Sequence, residues 1–119
     1  MARKPSKGLD FEDLRRLALA LPGVEERTSY GRPSFHAGKK MFVCAGRQDD
    51  HVVVRIGLDE REMLMEADAD TYFITDHYRG WPYVLVRLAT IREDALAALL
   101  ARSWREIAPA RLLKAAQAG

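Results

Sequence analysis

The spacing of hydrophobic residues predicts helices towards both ends of the chain. After Asp10, which can cap a helix, apolar side chains recur every three or four positions to Leu21, and Pro22-Gly23 ends the pattern. The longest helical pattern stops at Pro109, and its buried face is predicted to comprise Leu96, Leu99, Leu100, Ser103, Trp104 and Ile107. One or two further helical turns are predicted near residues 111–116.

Between these helices the apolar residues alternate, which is typical of strands. Strands are predicted at residues 34–37, 41–45, 51–57, 71–75 and 83–88, with a hairpin connection at residues 38–40. Val52, Val54 and Ile56 are expected to face the core, and Val53 and Arg55 therefore the other side of the sheet. A strand entering before residue 30 is expected to be short or bent, because glycine and proline follow it.

A short acidic helix is predicted from Leu58 to about Ala67. Capping boxes are predicted for this helix and for the longest one, formed by Asp59 with Glu62 and by Thr90 with Glu93. Leu58 is expected to staple onto Met63, and Met63 and Met65 are expected to fill the core.

The predicted order is helix, three strands, helix, two strands and helix. Short connections favour antiparallel pairing, and the first and last helices have apolar faces that can cover one side of a sheet. The sequence therefore predicts an α+β fold with an antiparallel sheet of about five strands and helices packed on one face. Its 119 residues suffice for one core, so we assign residues 1–9 to a flexible basic arm and residues 10–117 to a single domain.

Composition excludes several classes of protein. The chain is 48% hydrophobic and 30% charged, as folded domains are, and it has no apolar stretch of the roughly 20 residues that a membrane span requires. Its start lacks the apolar segment of a signal peptide, so a cytoplasmic location without a membrane partner is expected. The single cysteine, Cys44, excludes an internal disulfide and a multi-thiolate zinc site, and no metal or other cofactor is predicted.

Charge is unevenly distributed, although the net charge is only +2. Residues 59–76 contain seven acidic residues and one basic residue, whereas the rest of the chain is basic. If the acidic segment lies on one side of the fold, the opposite side can attract phosphate. The alternative is that a short solvated helix is simply acidic.

The chain lacks the sequence patterns of common catalytic sites. It has no G-x-S-x-G turn, no G-x-G-x-x-G and no Walker loop. Cys44 lies within an apolar strand, where a thiol is protonated and packs against its neighbours. The sequence therefore predicts no catalytic residues and no enzymatic activity.

The densest group of polar and aromatic residues runs from Thr75 to Tyr83. An imidazole, a guanidinium and aromatic rings there can bind a small anionic ligand or a protein. The residues of this candidate pocket are His77, Tyr78, Arg79 and Trp81, with Tyr30 or Phe35 as a wall. The alternative is structural, with Asp76 orienting its neighbours while the rings close one edge of the core.

Basic residues on strands and hairpins suggest a different site. Arg55 and Arg87 have the parity of the outer sheet face, and Lys39 and Lys40 lie at a hairpin tip. Phosphate contacts to double-stranded DNA are predicted for Arg32, Lys39, Lys40, Arg55, Arg79 and Arg87. The alternative is that the strand arginines pair with carboxylates on the sheet face or stack on Tyr83.

Four segments, in this order, resemble the MmcQ/YjbR family of small bacterial proteins. They are residues 19–26 (LALPGVEE), 30–35 (YGRPSF), 76–88 (DHYRGWPYVLVRL) and 103–109 (SWREIAP). The resemblance covers the chain from about Asp10 to Lys114. It implies a fold similar to the frataxin/CyaY-like architecture and a DNA-binding function through a double-wing arrangement of sheet and hairpins. The acidic ridge of frataxin-like proteins is not reproduced, so no iron site is predicted.

Two functional hypotheses follow. The first is a non-enzymatic DNA-binding domain that contacts the phosphate backbone through the six basic residues named above. The second is a module that binds a small anionic ligand or a protein through residues 77–83. A monomer is favoured for both.

Overall fold

The structure, a computed structural model, describes residues 8–48 and 50–118. Its strands are β1 (Val24–Ser29), β2 (Arg32–Ala37), β3 (Lys40–Ala45), β4 (His51–Arg55), β5 (Tyr72–Phe73) and β6 (Tyr83–Arg87). Its helices are α1 (Phe11–Leu19), α2 (Leu58–Ala67), α3 (Glu93–Ile107) and α4 (Ala110–Ala118), and a 3₁₀ turn spans Asp76–Tyr78. The described strands form one antiparallel sheet in the order β1-β2-β3-β4-β6-β5. The α+β class is confirmed, with six strands rather than about five.

The hydrophobic core lies between one face of the sheet and helices α1 and α3. Asp10 caps α1 as predicted, and its carboxylate accepts a hydrogen bond of 3.0 Å from the Asp13 N–H. Val52, Val54 and Ile56 are fully buried in this core, which confirms the face predicted for β4. The predicted apolar face of α3 is buried as well.

A bulge in β3 adds a residue to the core. The β2 partners of Met41 and Val43 are consecutive residues, so Phe42 is an extra residue in β3. Phe42 and Val43 are both fully buried in the core. Ser103 Oγ of α3 donates a hydrogen bond of 3.2 Å to the Phe42 carbonyl, which ties the bulge to the helix layer.

The strand that enters at Val24 is regular over six residues, so the prediction of a short or bent strand is wrong. Tyr30 and Gly31 have φ values of 52° and 78° and form a two-residue turn between β1 and β2. The glycine therefore turns the chain after the strand instead of interrupting it. Pro33 precedes Ser34, the first β2 residue paired with β3, where a missing N–H is tolerated.

The two other predicted capping boxes are also wrong. α2 includes Leu58 and Asp59, so Asp59 lies in the first turn and makes no cap. At the start of α3, Arg92 occupies the capping position without a side-chain hydrogen bond to the helix. Thr90 is used differently, because its Oγ lies 2.8 Å from the Thr71 Oγ and links two loops.

The predictions for the two methionines of α2 differ in outcome. Met63 is 70% exposed, so the core position and the staple predicted for it are wrong. Met65 is partly buried against the core. The reason is that α2 buries Arg61, which the periodicity of apolar residues does not reveal.

Residues 1–7, most of the predicted arm, lie outside the described residues. Leu9 packs against the core, and its N–H donates a hydrogen bond of 2.8 Å to the Leu88 carbonyl. Within residues 8–48 and 50–118, no helix has the combination of length and apolar character that crossing a membrane requires.

Candidate functional site

A cavity of about 830 Å³ lies on the sheet face away from α1 and α3, here called the open face. Val53 of β4 pairs with Cys44 on one side and Leu85 on the other, and Leu85 pairs with Phe73. These four side chains line the cavity as an apolar floor. Val53 and Leu85 are buried although they do not belong to the core cluster, so the open face is sheltered by its rim.

Three segments form the rim. The β1–β2 hairpin contributes Tyr30 and Arg32, and the turn before β4 contributes Arg47. The third segment is the loop of residues 76–83, which contributes His77 and Tyr78. Residues distant in the sequence therefore meet around one concavity, which is the usual arrangement of a small-molecule site.

Arg61 holds the 76–83 loop in shape. The residue is 4% exposed, and its Nη1 donates hydrogen bonds to the carbonyls of Tyr78 (3.0 Å), Trp81 (2.8 Å) and Tyr83 (3.3 Å). Its Nη2 donates to the carbonyl of Arg79 at 3.0 Å. One buried guanidinium thus donates to four backbone carbonyls, two of which also accept a backbone N–H, and fixes the loop before any ligand binds.

Tyr78 of the 76–83 loop lines the cavity with a large ring. Its centroid lies 4.7 Å from that of His77 and 5.9 Å from that of Tyr83, both with edge-to-face geometry. Burial raises the pKa of Tyr78, so its phenol is neutral at physiological pH and can donate a hydrogen bond.

The charges around the cavity are predominantly basic. Arg32, Arg47 and Arg87 line it, and no carboxylate of the described residues forms an ion pair with any of them. Arg87 stacks over the Phe73 ring at 4.0 Å and donates to the Asp70 carbonyl at 3.0 Å. These guanidiniums therefore retain charge that an anion can neutralise.

One described carboxylate, that of Asp50, also lines the cavity. It lies 2.9 Å from His51 Nδ1, and this hydrogen bond lowers the pKa of Asp50. With three arginines on the same cavity, the described lining is still net positive.

Cys44 lies on the floor of the cavity and is partly accessible. Burial raises the pKa of its thiol, and nearby Arg32 opposes this effect in part. The thiol is therefore protonated at neutral pH and reacts slowly. Because it is the sole cysteine of the chain, it can report whether the cavity is occupied.

A serine–histidine pair lies beside the cavity, on β2. Ser34 Oγ is 2.9 Å from His36 Nε2 and 3.2 Å from Ser29 Oγ. Ser34 is fully buried, and His36 Nδ1 has no hydrogen-bond partner among the described residues. Burial lowers the pKa of His36. Within the described part of the chain no acid orients His36, and the Ser34 hydroxyl is buried, so the pair links β1 to β2 and does not present a nucleophile.

The candidate ligand pocket predicted from the sequence is only partly assembled. Tyr30, His77 and Tyr78 line the cavity. Phe35 does not, because it is fully buried in the core on the other face of the sheet, so its prediction as a wall is wrong. The remaining two residues, Arg79 and Trp81, lie outside the cavity lining.

Arg79 and Trp81 are both exposed. Arg79 forms an exposed ion pair with Asp76. Trp81 is 62% exposed, and Arg61 contacts it through the backbone carbonyl. Of the structural alternative, the orientation of Arg79 by Asp76 is confirmed. The rings do not close an edge of the core, because Trp81 is exposed and Tyr78 and Tyr83 line the cavity on the open face.

The six residues predicted to contact DNA do not form one cluster. Arg32 and Arg87 line the cavity, whereas Lys39 and Lys40 are exposed at the β2–β3 turn, at the opposite end of β2 from Arg32. Arg55 and Arg87 lie on the same open face, because every second pair of the β4–β6 register, from His51–Arg87 to Arg55–Tyr83, has its side chains on that face. The two arginines are four residues apart in that register, which is about 13 Å along the strands.

Neither Arg47 nor Arg61 was predicted as a site residue from the sequence, although the outward parity of Val53 and Leu85 carries a signal. Arg47 lies in a turn without a motif, and Arg61 is one charge in an acidic helix. Val53 and Leu85 are apolar at positions with outward parity. An outer face that alternates apolar and basic residues indicates a covered surface, and this pattern could have located the cavity floor.

Comparisons with known proteins agree on the family and the fold. A family model described as YjbR matches residues 19–106. The uncharacterized protein Rv2570 of Mycobacterium tuberculosis and the uncharacterized protein Mb2600 of Mycobacterium bovis are each 29% identical over 120 residues, covering 88% of this chain and 93% of the relative. The crystal structure of Deinococcus radiodurans protein DR2400, family-model domain DUF419, matches with a TM-score of 0.68 and 19% identity, over 86% of this chain and 80% of that one. This structural match shows a shared fold.

Proposed function

The chain belongs to the YjbR family, and we propose that the open-face cavity of this member binds a small anionic ligand without catalysing a reaction. The observation that carries the proposal is the group of three arginines above an apolar floor, none of them paired with a described carboxylate. Clustered arginines repel one another, and an anion that bridges them relieves this repulsion.

The shape of the site supports a small ligand. A cavity of about 830 Å³ lies within the usual range for small-molecule sites, roughly 300 to 1,000 Å³. The Arg61 hydrogen bonds preform the 76–83 loop, so binding requires little ordering of the chain. The floor of Val53 and Leu85 offers apolar contact, and the rim supplies the charge.

Protection of Cys44 tests the proposal directly. The protein is treated with iodoacetamide, a neutral reagent, and the modified fraction is followed by intact mass in the presence of sugar phosphates, dicarboxylates, aryl carboxylates and mononucleotides. We expect at least one of these anions to slow the modification in a saturable way. Arg32→Met and Arg47→Met should each weaken the protection about tenfold, since each removes a charge-assisted hydrogen bond.

Arg79→Met is the matched control, because Arg79 is an arginine of the same rim loop that does not line the cavity. Each variant is compared with its own rate without ligand, since Arg32 also acts on the Cys44 thiol. The proposal is wrong if no anion class slows the modification, or if Arg79→Met weakens protection as much as Arg32→Met.

Duplex DNA is a second candidate, favoured by the exposed Lys39 and Lys40 and by the arginines of the open face. For this candidate, labelled duplex should bind at micromolar protein in fluorescence anisotropy, and the affinity should fall steeply with salt. The Lys39→Glu, Lys40→Glu double variant should lose DNA binding while keeping the ligand protection of Cys44. If the duplex did not bind at low salt, DNA would be excluded as a ligand and the small anion would remain the candidate.

A further inference from the structure

Tyr30 occupies a position that its own turn does not favour. Its φ of 52° and the φ of 78° at Gly31 describe a two-residue turn in which both central residues are left-handed. Asparagine and glycine are the residues that such turns prefer, because a larger side chain at positive φ is strained. Nothing in the fold of the hairpin therefore requires a tyrosine here.

The Tyr30 side chain is also unfavourably placed with respect to solvent. It is 98% exposed, the highest value among the exposed large hydrophobic residues, and it makes no ring contact with another described aromatic residue. Yet it lies on the rim of the cavity, beside Arg32. A strained and exposed ring at the mouth of a cavity points to a contact made only when a ligand is present.

The groups close to this ring indicate which ligand would use it. Tyr78 lines the same cavity, and Arg32 and Arg47 are near enough to influence its phenol electrostatically. The mouth thus combines an exposed aromatic ring, a half-buried aromatic ring and two guanidiniums that form no ion pair with a carboxylate of the described residues. Aromatic side chains stack on planar aromatic ligands whatever their substituents, whereas guanidiniums bind phosphate or carboxylate oxygens.

Resting on the proposed function, we propose that the ligand of the open-face cavity is a planar aromatic ring joined to an anionic group, of which a nucleoside monophosphate is the representative, and that Tyr30 stacks on its ring. Arg32 and Arg47 bind the anionic group. Tyr30 thus closes the mouth over the ligand, and its exposed face becomes buried on binding.

Three probes and two variants test this inference through Cys44 protection. The probes are adenosine monophosphate, ribose 5-phosphate, which lacks the ring, and adenosine, which lacks the charge. Tyr30→Asn removes the ring and supplies the residue that the turn prefers, so the hairpin is retained. Tyr30→Phe keeps the ring and is the matched control.

We expect adenosine monophosphate to bind more tightly than either partial probe. Tyr30→Asn should weaken the binding of adenosine monophosphate at least about fivefold, which is the lower end of the effect of removing one base–aromatic stack. The same substitution should leave the binding of ribose 5-phosphate unchanged. Tyr30→Phe should bind as the parent protein does. The unfolding midpoint of Tyr30→Asn should be unchanged or higher, which shows that lost affinity is not lost folding.

The inference is overturned if ribose 5-phosphate binds as tightly as adenosine monophosphate, or if Tyr30→Asn binds adenosine monophosphate as the parent does. If only a non-aromatic anion protects Cys44, the inference fails and the proposed anion site stands. If no anion of any class protects Cys44, both fail together.

Discussion

Replacing Arg61 with methionine is expected to lower the free energy of unfolding by about 3 kcal/mol or more. The methionine fills part of the space, but four backbone carbonyls lose a charge-assisted hydrogen bond, and those of Tyr78 and Trp81 keep only their backbone N–H donors. Domains of this size are stable by only about 5 to 15 kcal/mol, so the loss is a large part of the total.

The same substitution should open the cavity. Without the guanidinium, the 76–83 loop has no common anchor, and Tyr78 should leave its place beside Tyr83. We therefore expect Cys44 to react faster with iodoacetamide in Arg61→Met, under conditions where the variant is folded. The Cys44 rate of Arg61→Lys should fall between those of the parent protein and Arg61→Met, because an ammonium has fewer donors than a guanidinium and lacks its planar fork.

Denaturant unfolding gives the stability change, and intact mass gives the Cys44 rate. Arg105→Met is the matched control, since Arg105 is exposed on α3 and should change stability by no more than about 0.5 kcal/mol. Equal stability of Arg61→Met and Arg105→Met would show that the hydrogen bonds to the loop carbonyls contribute little. If iodoacetamide modified Cys44 faster in Arg61→Met and not in Arg105→Met, the Arg61 side chain of α2 would be shown to keep the cavity closed.

Replacing Phe35 with alanine is expected to lower the free energy of unfolding by about 3 to 5 kcal/mol. Phe35 is fully buried in the core, and its ring centroid lies 6.1 Å from that of Phe11 on α1. Removing the ring loses apolar burial and leaves a cavity between α1 and the sheet, because close-packed neighbours relax only partly.

This substitution also distinguishes an effect on the core face of the sheet from an effect on the open face. Phe35 faces α1, so ligand protection of Cys44 should be unchanged in the folded protein, in contrast to the effect of Arg32→Met. Phe35→Leu keeps most of the volume and supplies a folded variant if the alanine form is too unstable. Urea unfolding gives the stability. If a stable Phe35→Leu variant lost the ligand protection of Cys44, Phe35 would contribute to the ligand site after all.

The fold was largely predictable because its signals are local. The cap at Asp10, the alternation in β4 and the apolar face of α3 each depend on spacing within one element, and each is confirmed. The errors occurred where one residue type fits two arrangements. Gly31 can interrupt a strand or turn the chain after it, and only the pairing of β1 with β2 distinguishes these cases.

The candidate site was predictable in part. Tyr30, His77 and Tyr78 were found because aromatic and polar residues cluster in loops. Arg61 was not, because burial of a charge depends on backbone carbonyls that its own helix does not contain. Phe35 was placed wrongly because the parity that assigns it to a face is known only relative to the neighbouring strand.

Periodicity and turn chemistry act over a few residues, so the helices, most of the strands, the α+β class and the family resemblance follow from the amino-acid sequence alone. The choice of which apolar residues form the core, which form the cavity floor and which arginine is buried depends on the folded chain. Folding also brings three distant segments to one rim. These outcomes depend on strand order, register and the desolvation of groups far apart in the chain, and such interactions exist only once the sheet has formed.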